Sequence, residues 1–458
     1  MDNFRIISKS LLLLIALTCT QFAYGQERWT FEELAGLAEQ RSHQKSQMDS
    51  QLELVQIEKQ MLKSTYLPKL ELAGGYAAFR SDMELQTRSL LTPHLGSVLP
   101  ALEQLPIPIS PDIIPETSKF SMGNNYWGAN ISANMVLFSG LKVPRYMKAL
   151  EQKKSVVNAQ KEMHSTELLL EFASYYDRAL LIRQSEEVLV NAAERLDRQK
   201  LTAESAFGNG LIPRHELEKI TLAMLKLEAK QEELANSKSI LERKLSQLTG
   251  VKDLRLDQLE INSAERKVQL DGGFEDRAEL KALNSAYEAE QWKYKAIKSN
   301  HIPKVAAFSG FRYDQIGNVT IYPSAYVGVG LKWEIFDGLH TNHAIKKAKV
   351  EQRMLSERIA ETEELLALAE EKSIQDYRQS EVQLKLSRKA TEIADKQLEI
   401  AKKEFSLGLI KLSELLTAES DYQEAMLEWT QALYNQRQAA LKVLEGKGRL
   451  SMDQLAIQ

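Results

Sequence analysis

Few residues in this 458-residue chain are arranged for bond-making chemistry. His340-Thr-Asn-His343 sets two imidazoles at i and i+3, which meet on one helix face, but no acidic residue or cysteine lies close enough in sequence to complete a metal site. The pair follows Gly338, so it reads as a solvated helix start, and no metal or cofactor is expected. Gly272-Gly273 and Gly446-Lys-Gly448 lack the spacing of a phosphate-binding loop. No nucleophile has a base at a useful spacing. The sole cysteine, Cys19, sits in an N-terminal segment that reads as a targeting signal: Arg5 and Lys9, then the apolar run Leu11–Leu17, then Ala23-Tyr-Gly25 as a cleavage site. Cleavage after Gly25 leaves a chain without cysteine; lipidation of Cys19 is the other reading, although Ala16-Leu17-Thr18 fits a lipoprotein box poorly. A net charge of −4, from 59 basic and 63 acidic residues, gives no basic face for nucleic acid. The chain reads as a secreted non-enzyme.

The elements that carry it are written twice. Tyr66-Leu-Pro-Lys-Leu70 recurs as His301-Ile-Pro-Lys-Val305, an offset of 235. Val136-Leu-Phe-Ser-Gly140 recurs as Glu334-Ile-Phe-Asp-Gly338, and Phe207-Gly-Asn-Gly-Leu-Ile212 as Phe405-Ser-Leu-Gly-Leu-Ile410, both at an offset of 198. The first half therefore holds 37 extra residues, which fall where six of the eleven prolines cluster (Pro93 to Pro115); residues 81–125 read as a long loop. The expected organisation is a signal at 1–25, a first repeat at 26–248, an irregular connector at 249–276, a second repeat at 277–445 and a tail at 446–458.

Between Gly140 and Gly210, and again between Gly338 and Gly408, strong helix formers run almost without glycine or proline. Tyr175, Leu180, Leu189 and Leu196 stand among charged neighbours there, as narrow seams of a coiled-coil-like bundle. A helix of about 66 residues is ~100 Å long. Shorter helices are expected from the Thr30-Phe-Glu-Glu33 capping box to about Tyr66, and over about 214–248, 277–299 and 412–444.

Each half also holds two runs of period-two patterning. One face carries Trp127, Ile131, Met135 and Leu137 in the first half, and Val327, Val329, Leu331 and Trp333 in the second; the other face is small or polar. Any one run fits an ordinary amphipathic strand. Four of them beside very long helices fit lipid-facing strands of an outer-membrane barrel. Four strands are too few to close a barrel, so several chains must share one.

Together these landmarks resemble the TolC family of outer-membrane efflux proteins, over Thr30-Phe-Glu-Glu-Leu-Ala-Gly-Leu-Ala38, Leu67-Pro68, Ile302-Pro303, Arg277-Ala-Glu-Leu280, Leu137-Phe-Ser-Gly140, Ile335-Phe-Asp-Gly338 and the Gly-Leu-Ile turns at Gly210 and Gly408. The resemblance implies a mainly α fold with a membrane β-barrel contribution: long helical hairpins forming a periplasmic tunnel, and four strands per chain of a 12-stranded barrel shared by a homotrimer. It implies an outer-membrane exit duct that passively conducts what an inner-membrane pump or export ATPase and a periplasmic adaptor (membrane fusion protein) deliver. The hairpin tips, Asn209, Gly210, Leu211, Ile212 and Pro213 with Leu407, Gly408, Leu409, Ile410 and Lys411, are the expected adaptor contacts. Glu216 and Glu414, each six residues after its glycine, are the implied pore-constricting carboxylates; Thr417 stands where the family often has a second acid. The alternative is a structural coiled coil of the cell envelope with no conducting barrel.

Overall fold

The computed structural model describes residues 28–78, 81–89, 115–122, 125–270, 277–316 and 319–448. Cys19 and the expected signal, Gly272-Gly273, the prolines at 93–111 and most of the expected tail lie outside the described residues.

The two long helices follow the repeat to the residue. Thr30 accepts the Glu33 backbone N–H while the Glu33 side chain accepts that of Thr30, the capping box that starts α1 (Phe31–Arg41). The single helix expected to run on to Tyr66 is instead two. Ser42 is extended, and its hydroxyl accepts the Lys45 backbone N–H and bonds His164 Nε2 at 2.7 Å, so it ends α1 and caps α2 (His43–Ser64). The long helices α3 (Lys142–Gly208) and α6 (His340–Ser406) each have 67 residues and start 198 apart. α4 (Arg214–Thr249) and α7 (Leu412–Gly446) follow their hairpins, and α5 (Ala278–Lys298) opens the second half.

Strands β1 (Lys69–Ala78), β4 (Asn125–Phe138), β5 (Lys304–Ile316) and β6 (Val319–Lys332) form one antiparallel sheet in the order β1-β4-β5-β6. The expected loop at 81–125 needs correction at both ends: β2 (Ser81–Leu85) pairs with β3 (Ser118–Met122). The register that sets Ala78 opposite Asn125 continues unchanged with Ser81 opposite Met122. The flanks of the insertion are free of proline, so their N–H groups remain available for a ladder.

The chain divides into two compact units. One comprises Val55–Glu151 and Glu288–Gln352 and contains the sheet. The other comprises Met1–Leu54, Gln152–Tyr287 and Arg353–Gln458 and is helical where described. Its largest core gathers Phe31 and Leu34 of α1, Phe172 and Tyr176 of α3, Leu241 and Leu245 of α4, and Leu254 and Leu256 of the connector. Phe31 lies 5.4 Å from Phe172 and edge-on to Tyr176 at 5.5 Å. Each such aromatic side chain contributes about 1.5–3 kcal/mol by leaving water. This core fastens α1 and the connector to α3 and α4.

Candidate functional site

The sheet has an inverted polarity. Residues directly opposed in an antiparallel ladder share a face, and the rows read Leu72–Ile131–Phe311–Ala325 and Leu70–Ala133–Ser309–Val327. This mostly apolar face is bare: Leu72 is 79 % exposed and Val327 87 %. Trp127, Ile131, Met135, Val329 and Leu331 share its strand parity, Leu137 falls at the break in register between Val136 and Phe138, and Trp333 continues the face just past β6. Trp127 stacks on Tyr313 at 5.0 Å and donates to Gln315 Oε1, whereas Trp333 at the other end donates to the His301 carbonyl. The opposite face carries Glu71, Asn130, Ser132, Asn134, Arg312, Asp314 and Lys332. Glycines there accept flat aromatic rings; a Cβ on Gly310 would collide with Tyr326, and one on Gly328 with Phe308. The outer edges of β1 and β6 have no strand partner among the described residues.

At the other candidate site, the helix hairpins turn through Gly210 (φ 72°) and Gly408 (φ 73°), a left-handed conformation that glycine adopts without strain. The same bonds close both turns: Gly210 to the Phe207 carbonyl and Leu211 to Ala206, Gly408 to Phe405 and Leu409 to Glu404. Ile212 and Ile410 tuck inward against separate clusters. Asn209, Pro213 and Lys411 are exposed, and so are Leu211, Leu407 and Leu409, each more than 70 %.

The two equivalent carboxylates differ. Glu216 is buried, accepts from Lys219 Nζ at 2.8 Å and lies 3.3 Å from His215 Nε2. It also takes a backbone hydrogen bond from Ser413 at the start of α7. The Lys219 bond holds its carboxyl below the usual range against the opposing effect of burial. The first-hairpin member of the expected pair is thus already neutralised within the chain. Glu414 is exposed, with no side-chain hydrogen bond or ion pair among the described residues. His340 and His343 stand exposed in the first turn of α6, and no third ligand joins them among the described residues.

Two further clusters escaped the sequence reading. Arg195 Nε and Gln199 Nε2 of α3 donate to the buried Glu419 carboxylate of α7 at 2.8 and 2.9 Å, clasping the two hairpins together. The available signal was a pair of charges inside apolar seams, Arg195 beside Leu196 and Glu419 between Leu416 and Tyr422. Deeper in the helical unit, the fully buried Asp177 accepts from Arg266 of the connector at 3.0 Å, from Arg437 at 2.8 Å and from Gln438 at 3.0 Å. Burial lowers the Arg266 pKa, with Asp177 opposing that shift.

Residues 274–445 match the outer membrane efflux protein family. The chain also superposes on solved outer-membrane channels. VceC of Vibrio cholerae aligns with a TM-score of 0.69 at 14 % identity, over 91 % of this chain and 96 % of that one. CmeC of Campylobacter jejuni gives 0.67 at 13 %, over 93 % and 86 %. The open state of MtrE of Neisseria gonorrhoeae gives 0.67 at 12 %, over 92 % and 90 %. No curated protein matches the chain in sequence. Residues 274–445 thus resemble the outer membrane efflux protein family, and about nine-tenths of the chain shares the fold of the solved outer-membrane channels.

Proposed function

We propose that this chain is one third of an outer-membrane exit duct, a homotrimer that passively conducts cargo delivered by an inner-membrane pump through a periplasmic adaptor. The bare apolar face of the sheet carries the reading. In water such a face is a liability, and in lipid it is the side that belongs outside. Trp127 and Trp333 lie at opposite ends of it, about 37 Å apart along the strand direction. A tilt of about 45° brings that to about 26 Å of height, close to the ~25 Å apolar band of membrane barrels. The small and polar residues then face the lumen.

The internal repeat supplies the missing strand partner. Within the chain β4 of the first half pairs with β5 of the second. Its counterpart joins β6 to β1 of the next copy, with Val329 opposite Tyr76, Gly330 opposite Gly75 and Trp333 opposite Leu72. This register keeps the apolar face continuous around the ring; a one-residue slip would invert it. It also accounts for β6 ending at Lys332 while β4 continues to Phe138: the counterparts of residues 135–138, at 333–336, await a partner, and Ile335 and Phe336 are at least 75 % exposed. Cysteines at Gly75 and Gly330 should give disulfide-linked trimers in outer membranes. If neither this pair nor its one-residue neighbours crosslink, the shared barrel is wrong.

The hairpin tips are the adaptor side, because Leu211, Leu407 and Leu409 stay bare on otherwise satisfied turns. Cysteines at Asn209 and Lys411 should capture the adaptor in cells; capture only from the 81–125 segment would sink that assignment. Conduction follows the pump.

A further inference from the structure

His340 and His343 acquire a role when each is compared with its counterpart 198 residues earlier. The equivalence is tight: α3 and α6 share both ends, and Gly140-Leu141 and Gly338-Leu339 enter them with the same left-handed pair, φ 65° to 66° at all four residues. The counterparts are Lys142 and Arg145. Within the chain these two cations clamp the C-terminal end of α5. Arg145 donates to the Lys295 carbonyl and to Ser299 Oγ, both at 2.8 Å, and Lys142 to Asn300 Oδ1 at 3.1 Å. Beside them Gly140 presses on Ile302, where a Cβ would come within 3.0 Å of its carbonyl oxygen. A helix C-terminus, with its unpaired carbonyls, favours such cations.

The second-half version of this clamp is empty within the chain. A Cβ on Gly338 would meet nothing within 4 Å, and both histidines are exposed. The helix end they should grip is the C-terminus of α2, because residues 295–302 correspond to 60–67. There Ser64 is exposed, while its counterpart Ser299 is fully buried, and Leu67 is 61 % exposed. Bare apolar side chains flank the vacancy on both elements, Ile57 and Met61 of α2 and Val350 of α6. Inside one chain α2 lies along α3 instead, tied by Tyr66 to Ser139 and Lys59 to Glu151.

We propose that His340 and His343 clamp the C-terminal end of α2 of the next copy, His343 on Ser64 and the Gln60 carbonyl and His340 on Thr65, so that the seam between copies tightens on protonation while the seam within each copy does not. The proposal rests on the trimeric reading above. The charged groups facing the pair are Asp337, Lys346 and Lys347 on its own chain and Lys63, Lys69 and Glu71 on the next copy. Asp337 favours the charge of His340, and Lys69, the counterpart of the Lys304 that faces Lys142, opposes it. Lys346 and Lys347, three and four residues after His343, oppose that of His343, so the response is assigned to the pair together. Histidine ordinarily gains its proton near pH ~6.5. A cation at a helix C-terminus is favoured below that pH and the benefit fades above it.

The test is the dissociation rate of detergent-solubilised full-length trimers at pH 5.5 and pH 8, followed by light scattering. Wild type should dissociate about tenfold more slowly at pH 5.5, from three seams each carrying a modest helix-end interaction. His340→Lys with His343→Arg, which copies the in-chain clamp, should be slow at both pH values; His340→Ala with His343→Ala should be fast at both. Cysteines replacing Ser64 and His343 should link one copy to the next, which reports the contact even if the alanine variant assembles poorly. An alanine variant that keeps the wild-type pH response, or a Lys/Arg variant that dissociates faster than wild type at pH 8, overturns the clamp while Gly75–Gly330 crosslinked trimers leave the duct intact. Wild-type protein that is monomeric and fails to crosslink at Gly75–Gly330 overturns the duct itself, and the clamp with it.

Discussion

Replacing Asp177 with alanine should release the connector from the helical unit. Asp177 is 1 % exposed and serves two guanidiniums that are themselves 3 % exposed. Their situations differ once it is gone. Arg437 keeps the carbonyls of Asn262 and Ala264. The Arg266 side chain keeps nothing: both of its side-chain hydrogen bonds go to Asp177, and its Nε has no partner among the described residues. Stranding one buried charge costs about 3–5 kcal/mol, and Arg266 is the residue stranded. The Arg266 backbone itself is held by Gln436, which accepts its N–H and donates to its carbonyl, and by Tyr377 at 3.4 Å. Denaturant unfolding followed by circular dichroism should show that loss, and trypsin should cut at Arg266 or Lys267, where wild type resists. Adding Arg266→Met to Asp177→Ala removes the stranded charge and should recover about 2 kcal/mol. A loss under about 1 kcal/mol with no new cut, or no recovery in the double variant, would refute the view that this ion cluster pins the connector.

Three further outcomes concern the hairpins. Glu419→Ala removes the clasp on Arg195 and Gln199 and should raise single-channel conductance or open probability in planar bilayers; unchanged currents would make the clasp merely structural. Glu216 has a depressed pKa, so its contribution is present at neutral pH and fades only as the medium falls below the ordinary glutamate range, about 4.3. Tip amide exchange should therefore be flat from pH 7 to 5 after correction for intrinsic rates, and Glu216→Gln should loosen the start of α7 already at pH 7. Glu414→Ala should lower block by multivalent cations; if conductance and block are both unchanged, the second-hairpin carboxylates have no part in gating.

The long helices were legible because their signal is summed over 67 residues and because the same landmarks occur twice. The shared face of the strand residues was legible for a related reason: alternation assigns a face without knowledge of the partner strand. Residues 81–85 and 118–122 were hidden by their neighbours, since a cluster of prolines lowers the strand signal of a whole window while affecting only its own N–H groups. Ser42 has the composition of a helix surface, and only its bond to His164, 122 residues away, reveals it as a cap. The Asp177 cluster joins residues 89 and 260 apart, a distance at which local pattern is silent. The difference between Glu216 and Glu414 was on the page, however: Lys219 three residues after the first glutamate has Thr417 as its counterpart.

The register common to β1–β4 and β2–β3 has a consequence for crowding. The described part of β5 ends opposite Tyr126, whereas β3 and β2 pair Ser118 with Leu85, eight residues away along the chain from Tyr126. β2 and β3 thus make a two-stranded pair whose outer edges are unpaired where described, and an open edge invites another strand to add to it. Asp82, Glu84 and Lys119 line this pair, with Glu84 directly opposite Lys119. Charges on an edge make strand addition costly, so copies of this chain brought side by side can touch at these strands without knitting together.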